Sequence, residues 1–329
     1  MTTVPSEIPL VSVVTPTFNA GRFLKESIES VLGQDYPNIE YLVVDSHSSD
    51  DTQDILANYA GRFRTIQTPR NGPASAIHAG LSQARGSILA WLNADDRYAP
   101  GAVRAAVSMF MQSPDVAVVY GDANWINENG AVIRRYPTIP FDSRALAHDC
   151  FISQPAAFFR ASAYRECALD ESLPVSFDYD LWIRLAMRQR RFRYVPQTLA
   201  CARMHRGCLT LTRRPQVFEV TIGLLKRHYG YIPLSWIYGY LSYRHDGRDQ
   251  FFEPLRFSAR VFLSSVLRGF VWNRNRPLRA LREAASMACC GLWRHLARLP
   301  ITFGIAHRDR AGLPTERPAS RTAETQRRV

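Results

Sequence analysis

The chain has 329 residues, of which 46% are apolar and 21% charged, and its net charge is +12. This length and composition allow a large buried core, which excludes a wholly disordered protein. Residues 1–225 contain 22 basic and 22 acidic side chains, whereas residues 226–329 contain 19 and 7. The excess positive charge therefore lies in the last third of the chain, which we expect to face an anionic partner.

The N-terminus and the cysteines indicate a cytoplasmic protein. Residues 1–10 contain no basic segment followed by an apolar one, so no signal peptide is predicted. The six cysteines form no C-x-x-C pair and no disulfide-like pattern, and we therefore expect reduced thiols.

Strand and helix patterns alternate over the N-terminal part of the chain. Runs rich in β-branched and apolar residues predict strands at 11–15, 39–44, 65–68 and 88–92. The segments between them predict helices around 24–32, 53–60 and 74–84. Because strands that alternate with helices form parallel sheets, the predicted fold is an α/β layered domain.

Polar residues collect where three of these strands end, at 15–19, 45–49 and 93–96. Ligands of such sheets bind beyond the carboxyl ends of the strands. The last cluster contains the adjacent carboxylates Asp95 and Asp96, which repel each other unless a cation lies nearby. A turn in which Asp96 caps the following helix is the alternative. The coincidence of three clusters favours a ligand site.

Two features follow the alternating part. A hairpin is predicted around 127–130. Further on, Asp178 and Asp180 stand immediately before a predicted helix whose inner side carries Leu181 and Leu185. Either carboxylate alone could be an N-cap, but two exceed what capping requires. One of them is therefore a candidate for a chemical role.

Four segments carry a family resemblance. In chain order they are SVVTPTFNAGRFLKESIESVLGQDYPNIEYLVVDSHSSDDT, AWLNADD, QPAAFFR with FDYDLWIRLA, and RMHRGCLT. Together they resemble the family 2 glycosyltransferases over roughly residues 8–212. The resemblance implies a GT-A fold, which is an α/β nucleotide-binding domain with a mixed, mostly parallel central sheet, followed here by a basic helical region. It also implies an inverting enzyme that moves a sugar from a nucleotide diphosphate-sugar to a hydroxyl acceptor in cell-surface polysaccharide or glycolipid synthesis.

The resemblance assigns donor-binding roles to residues at the strand ends. Pro16 and Thr17 match the loop that lies along the base and ribose of the donor. Asp45 matches the acid that hydrogen-bonds the base. The family's D-x-D motif falls on NAD, so that Asn93 offers an oxygen to the ribose and Asp95 is the expected metal ligand.

The resemblance also implies a divalent cation, Mg²⁺ or Mn²⁺, as cofactor. Such a cation stabilises the leaving diphosphate and prefers hard oxygen ligands. The expected ligands are Asp95 and Asp96, together with His205, which matches a histidine near the diphosphate or metal. Asp178 matches the general base, which takes the proton of the acceptor hydroxyl.

Three positions depart from the family's pattern. Asn93 stands where the family has Asp, Phe177 where it has Glu, and His78 where it commonly has Asn. They keep open a catalytically inactive protein that binds a nucleotide sugar. A nucleotidyltransferase is a further alternative, but it should carry a Gly-rich basic loop near the N-terminus, and TPTFNAGRF has one Gly and one Arg.

Two smaller patterns have ordinary alternatives. Arg70 and Asn71 could reach a phosphate or form a solvated turn. Cys201, His205 and Cys208 offer three zinc ligands without a fourth, so a zinc site is not expected.

The basic part of the chain divides into a helical region, predicted at 226–307, and a disordered tail at 308–329. Residues 230–243 are aromatic and apolar but too short to span a bilayer, which needs roughly 20 residues. Apolar helices bordered by Arg can lie in a membrane interface. They can equally pack as a helical subdomain on the catalytic domain, residues 1–225, and both interpretations stay open.

These patterns give the predicted partners. They are a nucleotide diphosphate-sugar donor, a saccharide or lipid-linked acceptor and an anionic membrane surface. Nucleic acid is not expected, because no recognition motif accompanies the basic charge. The expected location is the cytoplasm, with peripheral binding to the inner face of the cell membrane as an extension.

Overall fold

The computed structural model describes residues 8–247 and 257–296, and within them the chain forms a nine-stranded sheet. The strands are β1 Val11–Thr17, β2 Ile39–Asp45, β3 Arg64–Gln67, β4 Ile88–Trp91, β5 Arg97–Tyr98, β6 Val116–Ile126, β7 Val132–Arg135, β8 Ala157–Arg160 and β9 Arg191–Arg203. Their order in the sheet is β3-β2-β1-β4-β8-β6-β9-β5, with β7 paired to β6.

The half of the sheet that contains β1 to β4 is parallel, as predicted. β1 lies between β2 and β4 and is parallel to both, and β3 is parallel to β2. The connecting helices are α1 Gly21–Leu32, α2 Thr52–Asn58 and α3 Pro73–Ser82. Because parallel strands end at the same edge of a sheet, the polar residues after β1, β2 and β4 meet there.

The other half of the sheet is mixed. β8 is antiparallel to β4 and β6, whereas β9 is parallel to β6. The hairpin predicted around 127–130 is confirmed, because β6 and β7 pair antiparallel across it. The helices of this part are α4 Ala102–Gln112, α5 Ala161–Glu166, α6 Phe177–Met187 and α7 Leu209–Thr212.

One local expectation is wrong, because β1 does not end before Pro16 but continues to Thr17. Pro16 lies on the side of β1 that faces β4, and β4 ends opposite Val14, so its missing N–H interrupts no strand pairing there. The alternative in which Asp96 caps the following helix also fails, because that helix begins only at Ala102, after a left-handed Gly101 with φ of 76°. Asp96 therefore is not a helix cap.

The core has two layers, one on each face of the sheet. Alternate residues of β1 divide between them, since Val11 and Val13 pack with α1 and α4, and Val14 packs with α3 and α6. Aromatic residues fill the second layer, where the rings of Trp91 and Trp182 stack with 6.1 Å between centroids. The helices thus fix the sheet edge that carries the polar loops.

The basic region begins with α8 Arg214–Tyr229, so the boundary predicted at 225 falls inside a helix. It continues as α9 Leu234–Asp246, α10 Ala259–Trp272 and α11 Pro277–Leu296, which confirms its helical character. In the part of the chain that the structure describes, no helix is long and apolar enough to cross a membrane. The tail predicted at 308–329 lies outside the described residues.

Candidate active site

A cavity of about 1410 Å³ opens beyond the carboxyl ends of the parallel strands. Residues from the loops after β1 and β4, the start of α6 and the end of β9 line it. Most of the predicted site residues are among them, namely Pro16, Thr17, Asn93, Asp95, Asp96, Asp178 and His205. The sequence-predicted site is thus brought together, with one exception.

The exception is Asp45, which is fully buried beneath the cavity wall. Its carboxylate accepts hydrogen bonds from the backbone N–H and the hydroxyl of Ser48 and from the side-chain amide of Gln53. These bonds hold the loop after β2, and the neighbouring Ser46 lines the cavity instead. Nearby, the buried Thr17 hydroxyl has no hydrogen-bond partner among the described residues. A polar ligand in the cavity would supply one.

Of the two residues that could reach a phosphate, Arg70 and Asn71, one lines the cavity. Arg70 lines it, and its guanidinium lies 3.8 Å from the centroid of the Phe18 ring. Asn71 is not among the lining residues, and its backbone N–H is turned to the Pro69 carbonyl. Arg70 therefore is a cationic side chain at this end of the cavity, and it stacks on an aromatic ring.

Asp95 and His205 form a pair on the cavity wall. His205 Nε2 lies 3.0 Å from an Asp95 carboxylate oxygen, and the Asp95 side chain is 27% exposed. The other ring nitrogen, Nδ1, accepts a hydrogen bond from the Gly207 N–H. This second bond assigns the proton of a neutral imidazole to Nε2, which donates it to Asp95.

Asp96 is turned into the protein. One carboxylate oxygen accepts from the Arg203 N–H at 2.8 Å, and the other accepts from the Asn93 side-chain amide at 3.1 Å. Burial and the neighbouring charge of Asp95 raise the pKa of Asp96 well above its usual range. An ionised Asp at position 93 could not donate this hydrogen bond to Asp96. The Asn93 amide donates it and also bonds the Gln154 side chain. Asn93 therefore suits a site in which Asp96 is a neighbouring carboxylate.

The described residues contain no group of three or more His, Cys, Asp or Glu side chains that could hold a metal by themselves. Asp95 and His205 of the expected set contact each other, whereas both oxygens of Asp96 accept hydrogen bonds from protein groups. The metal-binding role of all three residues stays a prediction. Cys201, His205 and Cys208 also form no such group in this part of the chain.

Arg203 is a central residue that the sequence reasoning missed. Its side chain is fully buried. The guanidinium donates to the backbone carbonyls of Asp95, Asn127 and Glu128, and it bonds Glu26 at 2.7 Å. It thereby ties the loop after β4 to the hairpin and to α1. An Arg within the apolar run LACARMH was the signal, since a buried Arg needs partners.

The two carboxylates at the start of α6 have different surroundings. Asp178 lines the cavity, and burial raises its pKa. Asp180 is buried and bonds Arg184 at 2.6 Å and His228 of α8 at 2.8 Å. Burial acts to raise the pKa of Asp180, but the hydrogen bond from His228 and the charge of Arg184 outweigh it and lower the pKa. Ser176, with φ of 58°, sets the direction in which α6 begins.

The same end of the cavity contains two further residues that the sequence did not indicate. Asp149 lines it, and burial raises its pKa to about 6. Trp236 of α9 reaches the cavity and packs on Tyr179 with 5.9 Å between ring centroids. The helical region thus contributes a side chain to the cavity near Asp178.

Comparison with solved structures identifies the fold. Two solved structures are similar: Staphylococcus aureus TarS 1–349 in complex with UDP, at a TM-score of 0.57 and 17% identity, and the mannosyltransferase PcManGT from Pyrobaculum calidifontis in complex with GDP-Man and Mn²⁺, at 0.54 and 19%. The first match covers 86% of this chain and 92% of TarS, and the second covers 88% of both chains. The protein therefore has the GT-A fold.

The family model described as Glycosyl transferase family 2 matches residues 12–170 of the chain. An uncharacterized glycosyltransferase of Rickettsia felis is 30% identical over 193 residues, which are 54% of this chain and 31% of that protein. A chondroitin synthase of Pasteurella multocida is 27% identical over 183 residues, or 54% and 19% of the two chains. The chain thus spans less than a third of the length of either relative.

Proposed function

We propose that the protein is an inverting glycosyltransferase that moves a sugar from a nucleotide diphosphate-sugar to a hydroxyl acceptor in cell-surface polysaccharide or glycolipid synthesis. The observation that carries the proposal is one cavity lined by both the Asp95–His205 pair and the Asp178 carboxylate. The first suits a donor diphosphate with its cation, and the second suits an acceptor hydroxyl. A cytoplasmic location stays a prediction.

The donor would occupy the edge of the parallel sheet. Pro16 and Thr17 line the cavity there, and the Thr17 hydroxyl has no partner among the residues that the structure describes. Asp45 would hold the loop that carries Ser46 through its hydrogen bonds to Ser48 and Gln53. It would contact the base directly only if these bonds broke when the donor binds. The solved relatives bound to UDP and to GDP-Man support a nucleotide-sugar donor.

The residues present fit a cation that arrives with the donor. Mg²⁺ and Mn²⁺ at nucleotide sites are held by one or two protein groups together with substrate phosphates. Asp95 offers a partly exposed carboxylate, and His205 lies against it. The cation, when bound, would stabilise the negative charge of the leaving diphosphate. The Mn²⁺ complex of the mannosyltransferase relative supports this cofactor.

Asp178 would act as the general base. Its carboxylate takes the proton of the acceptor hydroxyl while the hydroxyl oxygen bonds to the anomeric carbon and the bond from that carbon to the diphosphate breaks. Attack from the face opposite the leaving group inverts the anomeric centre. Because burial raises its pKa, Asp178 is a stronger base than an exposed aspartate while it remains ionised.

A catalytically inactive protein that binds a nucleotide sugar is the second candidate. Asn93 and Phe177, which replace two acids of the family's pattern, favour it. The two functions differ in one measurable respect, since only the enzyme releases nucleoside diphosphate when an acceptor is present.

The test is a melting-temperature screen with UDP-, GDP- and dTDP-sugars, each with and without Mn²⁺. A donor at 100 times its dissociation constant should add about 2.7 kcal/mol to the free energy of unfolding. The stabilising donor is then assayed for release of nucleoside diphosphate in the presence of saccharide and lipid-linked acceptors. Stabilisation without release under any of these acceptors supports the inactive candidate, and no stabilisation by any donor contradicts both.

A further inference from the structure

An apolar surface lies on the outside of α10 and α11, far along the chain from the cavity residues. Five large side chains form it, and we call them the α10–α11 face: Leu263, Leu267, Val271, Leu278 and Leu281. Their exposed fractions are 62%, 68%, 70%, 72% and 55%. Single exposed apolar residues are common on proteins, but a set at helical spacing marks an interaction surface.

The helix α10 places large residues outside and small residues inside. Its buried positions include Ser265 and Gly269, whereas Leu263 and Leu267 point to solvent. A Cβ at Gly269 would lie 3.3 Å from a terminal methyl of Leu234 of α9, so α10 packs closely on α9 at this point. A helix that served only to pack on the protein would bury its leucines. The exposed leucines of α10 are thus available to contact a partner outside the protein.

The charged residues of α10 and of the turn that follows it are all Arg, and the next acidic residue along the chain is Glu283 of α11. From residue 254 to residue 282 the sequence contains seven Arg and no Asp or Glu. Among the exposed arginines, Arg260 and Arg268 lie on α10, and Arg274 and Arg276 lie in the turn between α10 and α11. Exposed leucines bordered by arginines are the composition of helices that lie in a membrane interface. A partner for this face must be both apolar and anionic.

We propose that the α10–α11 face docks on the surface of an anionic lipid bilayer. The leucines enter the boundary between headgroups and acyl chains, and the arginines contact lipid phosphates. A second copy of the chain is a poorer occupant, because it would bring the exposed arginines at 260, 268, 274 and 276 of the two copies against each other. This inference does not depend on the chemistry proposed for the cavity.

The docking face is firmly attached to the cavity. The Asn273 side chain, at the end of α10, bonds both the N–H and the carbonyl of Ile232, and Glu283 of α11 accepts from the Leu234 N–H. These contacts hold α10 and α11 against α9, whose Trp236 lines the cavity. Docking would therefore hold the Asp178 end of the cavity at a fixed place relative to the membrane. If the proposed function is right, this suits a lipid-linked acceptor.

The test is co-sedimentation of the full chain with vesicles of phosphatidylglycerol and phosphatidylcholine in equal amounts, and with vesicles of phosphatidylcholine alone. We expect binding to the anionic vesicles that weakens as salt is raised. The variant Leu263→Gln with Leu267→Gln should bind at least tenfold more weakly. The matched control, Met111→Gln with Met187→Gln, changes two exposed apolar residues elsewhere and should bind as the unmodified chain does.

A second pair separates charge from apolar contact. Arg260→Glu with Arg268→Glu should reduce binding at low salt, whereas Arg188→Glu with Arg193→Glu, which changes the net charge equally, should reduce it far less. Melting temperatures within about two degrees of the unmodified chain exclude unfolding as the cause. Equal loss in both Arg pairs, no binding by the unmodified chain, or a leucine pair that alters only the molecular mass in solution would overturn the proposal. Such a change in mass would indicate a face between copies instead.

Discussion

Two pairs of carboxylates, Asp95 with Asp96 and Asp178 with Asp180, contribute residues to the cavity, and the pairs differ in how the inner member is held. Asp96 receives hydrogen bonds from a backbone N–H and from an amide, both neutral, and it faces the charge of Asp95. Asp180 receives them from Arg184 and His228. The pKa of the first is raised and that of the second lowered. The partner's charge, rather than burial alone, decides whether a buried carboxyl stays ionised.

Asp96 also lines the cavity, but both of its carboxylate oxygens bond protein groups, as do those of Asp180. The outer members, Asp95 and Asp178, are therefore the ones that can contact a ligand. The comparison therefore predicts that changes to the outer members alter chemistry and binding, whereas changes to the inner members alter stability. Four substitutions test this division, and each is measured for donor affinity, nucleoside diphosphate release and melting temperature.

The largest effect is expected for Asp178→Asn. The amide keeps the shape of the side chain but cannot accept the proton of the acceptor, so turnover should fall by about 10²-fold or more. Donor affinity and melting temperature should change little. Asp54→Asn, which alters an exposed carboxylate of α2, is the control and should leave turnover intact. Turnover near that of the unmodified chain in Asp178→Asn would remove Asp178 from the mechanism.

The next effect is expected for Asp95→Asn. Loss of the carboxylate should weaken Mn²⁺-dependent donor binding by about 10- to 100-fold, the range found when groups around bound metals are changed. Binding without Mn²⁺ should be nearly unaffected. Titration of the donor with and without Mn²⁺ measures both. If the two dissociation constants change by the same factor, Asp95 does not serve the cation.

A smaller effect, on stability, is expected for Asp180→Asn. A residue that only caps a helix tolerates this change at a cost of about 1 kcal/mol or less. In the structure Asp180 instead pairs with Arg184 and His228, and loss of its charge leaves those groups without a buried anion. We therefore expect a loss of about 2 kcal/mol in the free energy of unfolding, below the range for fully buried pairs because Arg184 is partly exposed.

The pH dependence of this loss follows from the lowered pKa of Asp180. A lowered folded-state pKa contributes stability that is present above the unfolded value, about 3.9 for Asp, and that is lost as the pH falls through the folded-state pKa. The stability difference between the unmodified chain and Asp180→Asn should therefore be constant near neutral pH and shrink in acid. Denaturant unfolding at a series of pH values measures it, and a difference that grows in acid would contradict the ion-pair interpretation.

The smallest effect is expected for Asp96→Asn, at about 1 kcal/mol or less. The amide oxygen can still accept from the Arg203 N–H, and the repulsion by Asp95 disappears. Asp96→Ala removes that acceptor and should cost about 1–3 kcal/mol, the range for an unsatisfied buried donor. Neither change should weaken Mn²⁺-dependent donor binding as much as Asp95→Asn does. If Asp96→Asn does so, the inner carboxylate also serves the cation.

Much of the framework was determined by the sequence itself. The alternation of strands and helices predicts the parallel half of the sheet, because apolar runs bounded by polar turns have few other ways to bury themselves. The same pattern places Thr17, Asp95 and the loop after Asp45 at one edge. The helix that begins near Asp178 is also predicted from its own residues. These features depend on neighbours in the chain.

Only the tertiary structure decided which member of each carboxylate pair has both oxygens bonded to protein groups. The partners that turn Asp96 and Asp180 inward are Arg203 and His228, which lie 107 and 48 residues away along the chain. Asp45 likewise lies at its predicted place at the end of β2, but its carboxylate accepts hydrogen bonds from Ser48 and Gln53. A local pattern states that a polar group is present at the end of a strand. The direction in which it points depends on the donor that the rest of the fold brings to it, because a buried carboxylate turns toward whatever can satisfy it.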